Sequence, residues 1–146
     1  MTSGGMAYRG QTNFIIGLIF TKRRRNKLKL IINEIPLSKN KYVNSHWAVR
    51  KKYKEMIQWI IYIEWLEEPE NTCYEKAKVM FDIYFKTKRR RDAQNYEGGG
   101  LISWLDAMVD LKIIADDCYD CIGQPIVNFY VCKEYPRTEI TIEEIK

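Results

Sequence analysis

Ala77-Lys78-Val79-Met80-Phe81-Asp82-Ile83-Tyr84-Phe85 runs directly into Lys86-Thr87-Lys88-Arg89-Arg90-Arg91-Asp92. In the first nine residues Val79, Phe81, Ile83 and Phe85 alternate with Lys78, Met80, Asp82 and Tyr84. That two-residue period belongs to a strand with one face on a core. The strand ends where the charge begins. Further on, Gly98-Gly99-Gly100 is poor helix interior and reads as a loop or hinge. A helix is expected from about Leu101 to Leu111, with Leu101, Leu105, Met108 and Val109 toward the core and Asp106 and Asp110 sharing another face. Ile113-Ile114-Ala115 then leads into Asp116-Asp117.

Toward the N-terminus, Leu28 to Ile35 reads as a second strand, stopped by Pro36. Leu28, Leu30 and Ile32 alternate there with Lys29, Ile31 and Asn33. A long helix is expected from about Trp47 to Glu67. Val49, Tyr53, Met56, Ile57, Ile60 and Ile63 recur at three- and four-residue spacing as one buried stripe. Asn44 or Ser45 can cap this helix, and Pro69 limits it. Toward the C-terminus, Ile126 to Lys133 and Glu139 to Ile145 read as a terminal hairpin turned around Tyr135-Pro136-Arg137. Phe14 to Phe20 is a weaker strand within residues 1–26, which stand apart as an N-terminal extension of the domain 27–146. The element order is β-α-β-α-β-β, a single α+β domain whose mixed sheet carries two main helices.

Composition narrows the function classes. The 146 residues fit one domain, on the usual range of roughly 100–200 residues. A hydrophobic fraction of 46% excludes a disordered tail. The apolar run Phe14 to Phe20 is far shorter than the about 20 residues needed to cross a bilayer. The basic run Lys22-Arg23-Arg24-Arg25 follows it instead of preceding it, unlike a signal peptide. A soluble, cytoplasmic protein with no membrane partner is expected. Four cysteines do not make a disulfide scaffold in a chain this long. Cys118-Tyr119-Asp120-Cys121 has CxxC spacing, but Cys73 and Cys132 are single and His46 is the one histidine. Structural zinc is therefore the weaker reading, and buried or incidental thiols the preferred one. The glycine run lacks a P-loop lysine and Ser/Thr, so no nucleotide cofactor is expected.

The net charge of +5 hides a strong asymmetry. Residues 22–54 hold twelve Lys/Arg against one acid, Glu34, and Lys86 to Arg91 adds five cations. Asp92 to Lys146 holds eleven acids against four bases. Clustered cations neutralise phosphates and release counterions, as nucleic-acid binding requires. The same runs also suit solvated helix faces or an acidic membrane surface. The basic run ends at Asp92, and Asp116-Asp117 follows about 24 residues later, after one helix. A chain returned by one helix can bring Asp92 and Asp117 to the same end of the sheet. Two carboxylates there would suit magnesium, with arginines to hold phosphodiester oxygens, the combination needed to hydrolyse a nucleic-acid strand. An acidic turn beside a solvated basic loop is the competing reading.

Arg89-Arg90-Arg91-Asp92-Ala93-Gln94-Asn95, Trp104-Leu105-Asp106-Ala107-Met108-Val109 and Ile113-Ile114-Ala115-Asp116-Asp117 together resemble the RusA family of Holliday junction resolvases. That family's pattern is a basic run, Asp-x-Asp-Asn, a helix with Leu-Asp-Ala/Gly-Leu, and a paired Asp-Asp. Pro36-Leu37-Ser38-Lys39-Asn40-Lys41-Tyr42 is similar to its Pro-Pro-Ser-x-Asn-x-Tyr segment. The resemblance spans about Lys29 to Ile145. It implies a RusA-like fold and a magnesium-dependent endonuclease that resolves Holliday junctions in DNA recombination and repair. It also implies a homodimer, because a four-way junction is cut at two symmetry-related places, and a bacterial or phage-infected cell as the setting.

Carried over, the resemblance makes Asp92, Asp117 and the adjacent Asp116 catalytic, with Asp92 and Asp117 holding Mg2+. Gln94 stands where the family's second acid would be and could offer only an uncharged oxygen. Glu97 is a possible substitute ligand. Ile102 stands where family members carry a lysine. DNA contacts are expected from Lys39, Lys41, Arg50, Lys51, Lys88, Arg89, Arg90 and Arg91. The alternative is a branched-DNA-binding protein of the same fold whose cutting is weakened by Gln94 and Ile102. The helix segment Trp59-Ile60-Ile61-Tyr62-Ile63-Glu64-Trp65 is apolar on more than one face, which suits a dimer contact.

Overall fold

In the computed structural model, which describes residues 26–68 and 73–145, the alternating pattern of Lys27–Ile32 (β1) sends Leu28, Leu30 and Ile32 into the core. Ala77–Phe85 (β2) buries Ala77, Val79, Phe81, Ile83 and Phe85 in the same way. Between these strands lie the short helix Lys39–Val43 (α1) and the long helix Trp47–Leu66 (α2). After β2 come Gln94–Glu97 (α3), Leu101–Asp110 (α4), Tyr119–Ile122 (α5), Ile126–Val131 (β3) and Arg137–Glu144 (β4). The fold is α+β: one small domain with four strands and five helices among the described residues. The expected strand Phe14 to Phe20 lies outside the described residues. No helix among the described residues is long and apolar enough to cross a membrane.

The sheet order is β1-β4-β2-β3. β4 is antiparallel to both β1 and β2, whereas β3 is parallel to β2. The expected terminal hairpin is therefore not formed: β2 separates the last two strands. Burial explains the placement. β4 buries Thr138 through Ile142 and takes a central position, while Tyr130 and Val131 of β3 are exposed and suit an edge. Consecutive strands with a short connection read as a hairpin because sequence periodicity carries no partner information. Long-range register, such as Phe81 opposite Ile140, decides instead.

α2 and α4 cover the inner face of the sheet. The expected stripe on α2 is rotated. Ile57 and Ile61 are buried, and Tyr53, Ile60 and Trp65 pack against the core, but Val49, Met56 and Ile63 are exposed. This helix is apolar most of the way round, so spacing alone could not choose its inner face. Its N-cap is His46, whose Nδ1 accepts the Ala48 N–H at 3.2 Å, in place of Asn44 or Ser45. On α4, Leu101, Trp104, Ala107 and Met108 are buried, and Leu105 and Val109 are half-buried.

The glycine run is a close contact and not a hinge. The Gly100 N–H donates to the Leu37 carbonyl at 2.8 Å. A Cβ on Gly100 would lie 2.5 Å from the Leu37 nitrogen, and one on Gly99 would lie 2.6 Å from the Lys39 nitrogen. Only glycine lets these backbones approach so closely. Beside them, the Tyr53 hydroxyl accepts the Leu37 N–H at 3.2 Å and the Trp104 indole N–H at 2.8 Å. Burial pushes the Tyr53 phenol pKa up, against the opposing effect of the hydrogen bonds from Trp104 and Leu37.

The outer face of the sheet is polar and ordered. Glu139 of β4 accepts from Lys29 of β1 at 2.7 Å and from Arg137 at 2.8 Å. Burial alone would raise the Glu139 carboxyl, but these two cations outweigh it and hold the carboxyl below its ordinary value. The Arg137 guanidinium lies 3.8 Å from the centre of the Tyr84 ring, which stacks on Tyr130.

Tyr53→Phe removes the acceptor shared by Leu37 and Trp104 while keeping the ring. Because an unsatisfied buried donor costs about 1–3 kcal/mol, denaturant unfolding should show a loss of about that size. An unchanged midpoint would mean that the hydroxyl holds nothing.

Candidate nucleic-acid interface

The turn after β2 is shaped by Arg91. Its guanidinium stacks 3.7 Å from the centre of the Phe85 ring, and its Nη1 donates to the Thr87 carbonyl at 3.0 Å. This leaves Lys88, Arg89 and Arg90 exposed on a turn of defined shape. Across from them, the Leu37–Gly100 contact fixes the segment that follows β1. The two segments enclose an open cavity of about 400 Å3 lined on its polar side by Ser38, Lys41, Arg89, Arg90, Arg91 and Asn95. Its apolar side is Ile35, Pro36, Leu37, Phe85 and Tyr96. Among the described residues that line it, four are cations and none is a carboxylate. Such a hollow attracts an anion, and Ser38 and Asn95 offer neutral donors beside the charges.

The remaining expected DNA contacts are spread more widely. Lys39 lies against Gly98 at the edge of this region, so α1 and α3 are neighbours. The Arg50 guanidinium is 5.8 Å from the centre of the Tyr42 ring and donates to the Val43 carbonyl at 3.4 Å. Lys51 belongs to a different hollow of about 550 Å3, with Lys54, Trp59 and Asp110. There Lys54 pairs with Asp110 at 3.0 Å, which ties α2 to α4.

Several of the expected acidic residues hold hydrogen-bond partners of their own. β2 has ended seven residues before Asp92, and Asp92 Oδ1 accepts the Gln94 N–H at 3.2 Å at the start of α3. Gln94 thus opens a helical turn and does not share a strand face with Asp92. Glu97 Oε1 accepts from the Gln124 side chain at 3.2 Å. α4 carries the chain back to the beginning of β2, because Ile114 forms a parallel bridge with Tyr74. Asp116 and Asp117 follow that bridge in the chain. Both are exposed, and Asp116 Oδ1 accepts the Asp117 N–H at 2.8 Å.

Among the described residues, the set of three ligand-type side chains with atoms within 4.8 Å of one another is Asp116, Cys118 and Cys121; Asp92, Glu97 and Asp117 form no such set. The hydrogen bond with Cys118, then partial burial and the nearby charges of Cys118, Asp116 and Asp120, push Cys121 up to about 11. Ile102 is exposed on α4.

One acidic neighbour of Asp117, read from the sequence only as sharing a helix face with Asp110, was given no site role there. Asp106 is half-buried on α4, and burial raises its pKa. The Lys54 ammonium opposes that rise, and the carboxylates of Asp117 and Asp110 add to it. The signal available in advance was its position in Trp104-Leu105-Asp106-Ala107, one helical turn before Asp110. Neutralising Asp117 removes a repelling charge, so Asp117→Asn should lower the Asp106 pKa, whereas Lys54→Met should raise it. A carboxyl-carbon NMR titration of Asp106 reads both shifts. No movement in Asp117→Asn would mean that the two carboxylates do not sense each other.

Compared with protein-family models and with curated proteins, the chain matches none.

Proposed function

We propose that the protein grips branched DNA, the four-way Holliday junction in particular, and cuts it with magnesium in the manner of the RusA resolvases that its motifs resemble. The observation that carries this reading is the cationic cavity between the Pro36–Lys41 segment and Arg89–Arg91. These segments are far apart in sequence, and each is a separate part of the resemblance. Arg89, Arg90 and Lys41 would neutralise backbone phosphates, Ser38 and Asn95 would donate to phosphodiester oxygens, and Arg91 would keep the loop in shape.

Magnesium needs only one or two carboxylates when substrate phosphates and water complete its shell. Asp92 and Asp117 are the residues that would supply them. A cage that also includes Glu97 does not fit, because Glu97 pairs with Gln124 and the three carboxylates do not converge. Bound magnesium would activate water and stabilise the leaving oxygen.

A homodimer would provide the two equivalent sites that a two-fold junction requires. On α2, Val49, Met56 and Ile63 recur every seven residues and are exposed, as are Trp59 and Leu66. Two seven-residue rows of this kind form the seam by which helices pair. Light scattering should give twice the monomer mass at micromolar concentration; a monomer mass would count against the dimer.

The second reading, a branched-DNA-binding protein that does not cut, is favoured by one observation. Asp92 is engaged at the start of α3, with Gln94 in place of a second acid. A synthetic four-way junction incubated with and without magnesium separates the two readings. Magnesium-dependent nicking that is lost in Asp92→Asn and Asp117→Asn, with junction binding kept, supports the resolvase. Cutting at the parent rate in both variants overturns the metal assignment. Binding without nicking, with cutting gained in Gln94→Asp, supports the binder.

Both readings require salt-sensitive binding. If about six phosphates are neutralised, log K should fall with log salt at a slope of about −5. Arg89→Ala with Arg90→Ala should flatten that slope by about two. An unchanged slope would make the run a solvated turn.

A further inference from the structure

Just beyond Asp117 the chain makes a turn whose two cysteines the junction reading does not use. Cys118 is the N-cap of α5 and Cys121 is its third residue, so one short helical turn puts both sulfurs on the same side. The Cys118 and Cys121 Sγ atoms are 3.2 Å apart. A carboxylate oxygen of Asp116 lies within 4.8 Å of both. Asp116 and Cys118 are exposed, and Cys121 is half-buried.

We propose that Asp116, Cys118 and Cys121 bind a thiophilic divalent cation, zinc, at a site separate from any magnesium at Asp92 or Asp117. The donor set selects the ion. Thiolates are soft ligands that favour zinc, whereas magnesium and calcium take oxygen ligands. The geometry needs little adjustment. With Zn–S bonds of about 2.3 Å and tetrahedral angles, two zinc-bound sulfurs stand about 3.8 Å apart. The observed pair has to open by only about 0.6 Å, a small side-chain rotation at an exposed turn.

Binding releases the two thiol protons to solvent, and the resulting thiolates with Asp116 balance and exceed the ion's charge. Three protein ligands leave a fourth, solvent-facing position for water. Asp116, which the resemblance placed beside the magnesium ligands as a catalytic residue, is thereby assigned to an ion of its own. The proposal does not depend on DNA cutting.

The test uses the full chain, stripped with a chelator, held reduced by a phosphine and titrated with cobalt and then zinc. Cobalt reports thiolate ligation by a charge-transfer band. One equivalent should give that band, and one equivalent of zinc should abolish it. Cys118→Ser and Cys121→Ser should each lose the band, whereas Cys73→Ser with Cys132→Ser should keep it. A second measurement needs no variant: zinc should slow alkylation of Cys118 and Cys121, but not of Cys73 and Cys132, as read by peptide mass spectrometry. Absence of the band in the parent chain, its survival in Cys118→Ser with Cys121→Ser, or zinc-independent alkylation of Cys118 and Cys121 would each overturn the proposal. Because neither readout involves DNA, failure of the zinc site and failure of the nuclease reading are distinguishable.

Discussion

The Tyr53 hydroxyl joins three parts of the chain that are far apart in sequence. From α2 it receives the backbone of Leu37, which follows β1, and the indole of Trp104 on α4. Trp104 is wholly buried, so its N–H must find an acceptor inside the protein. The same point is where Gly100 presses its backbone against Leu37. A polar atom in the core thus fixes how α2 and α4 lie on the sheet and where the loop after β1 runs. The position of the candidate DNA interface follows from it. Without the Leu37–Gly100 contact, Ser38 and Lys41 would not face the arginines that follow β2.

That interface concentrates like charge, which costs stability unless an anion is bound. The protein limits the cost by giving Arg91 local partners in Phe85 and the Thr87 carbonyl. Arg89 and Arg90 stay in solvent, where water screens them. The acids are treated differently. Lys54 offsets Asp110 and part of the repulsion on Asp106, while Asp92 and Asp116 each accept from a backbone N–H close by in the chain and Glu97 accepts from the Gln124 side chain. The carboxylates are therefore individually stabilised and not collected into one cage.

The sheet has two unlike faces. Its inner face is aliphatic and aromatic under α2 and α4, and its outer face carries the Lys29–Glu139–Arg137 cluster and the Tyr84–Tyr130 stack. α2 is also two-sided, with Ile57 and Ile61 inward and Met56, Trp59 and Ile63 in solvent. A helix that is apolar on both sides folds as readily in either rotation until the sheet selects one. What it leaves exposed is apolar surface.

The strand periods of Lys27–Ile32 and Ala77–Phe85, the existence of both long helices and the α+β class were legible in the sequence, because each rests on local side-chain alternation or spacing. The basic run ending at Asp92 and the acidic pair after Ala115 were legible too, as charge and residue type. Three features were not. The place of β4 between β1 and β2 depends on long-range register, which the period of a strand does not encode. The inner face of α2 depends on which of two apolar sides meets the sheet. The place of Asp116-Asp117 depends on where α4 delivers the chain, and the Tyr74–Ile114 bridge sets that at the start of β2. Sequence by itself determined the local elements and the charges they carry. The tertiary structure alone decided which of those charges share a surface, because backbone pairing and core packing act between residues far apart in the chain.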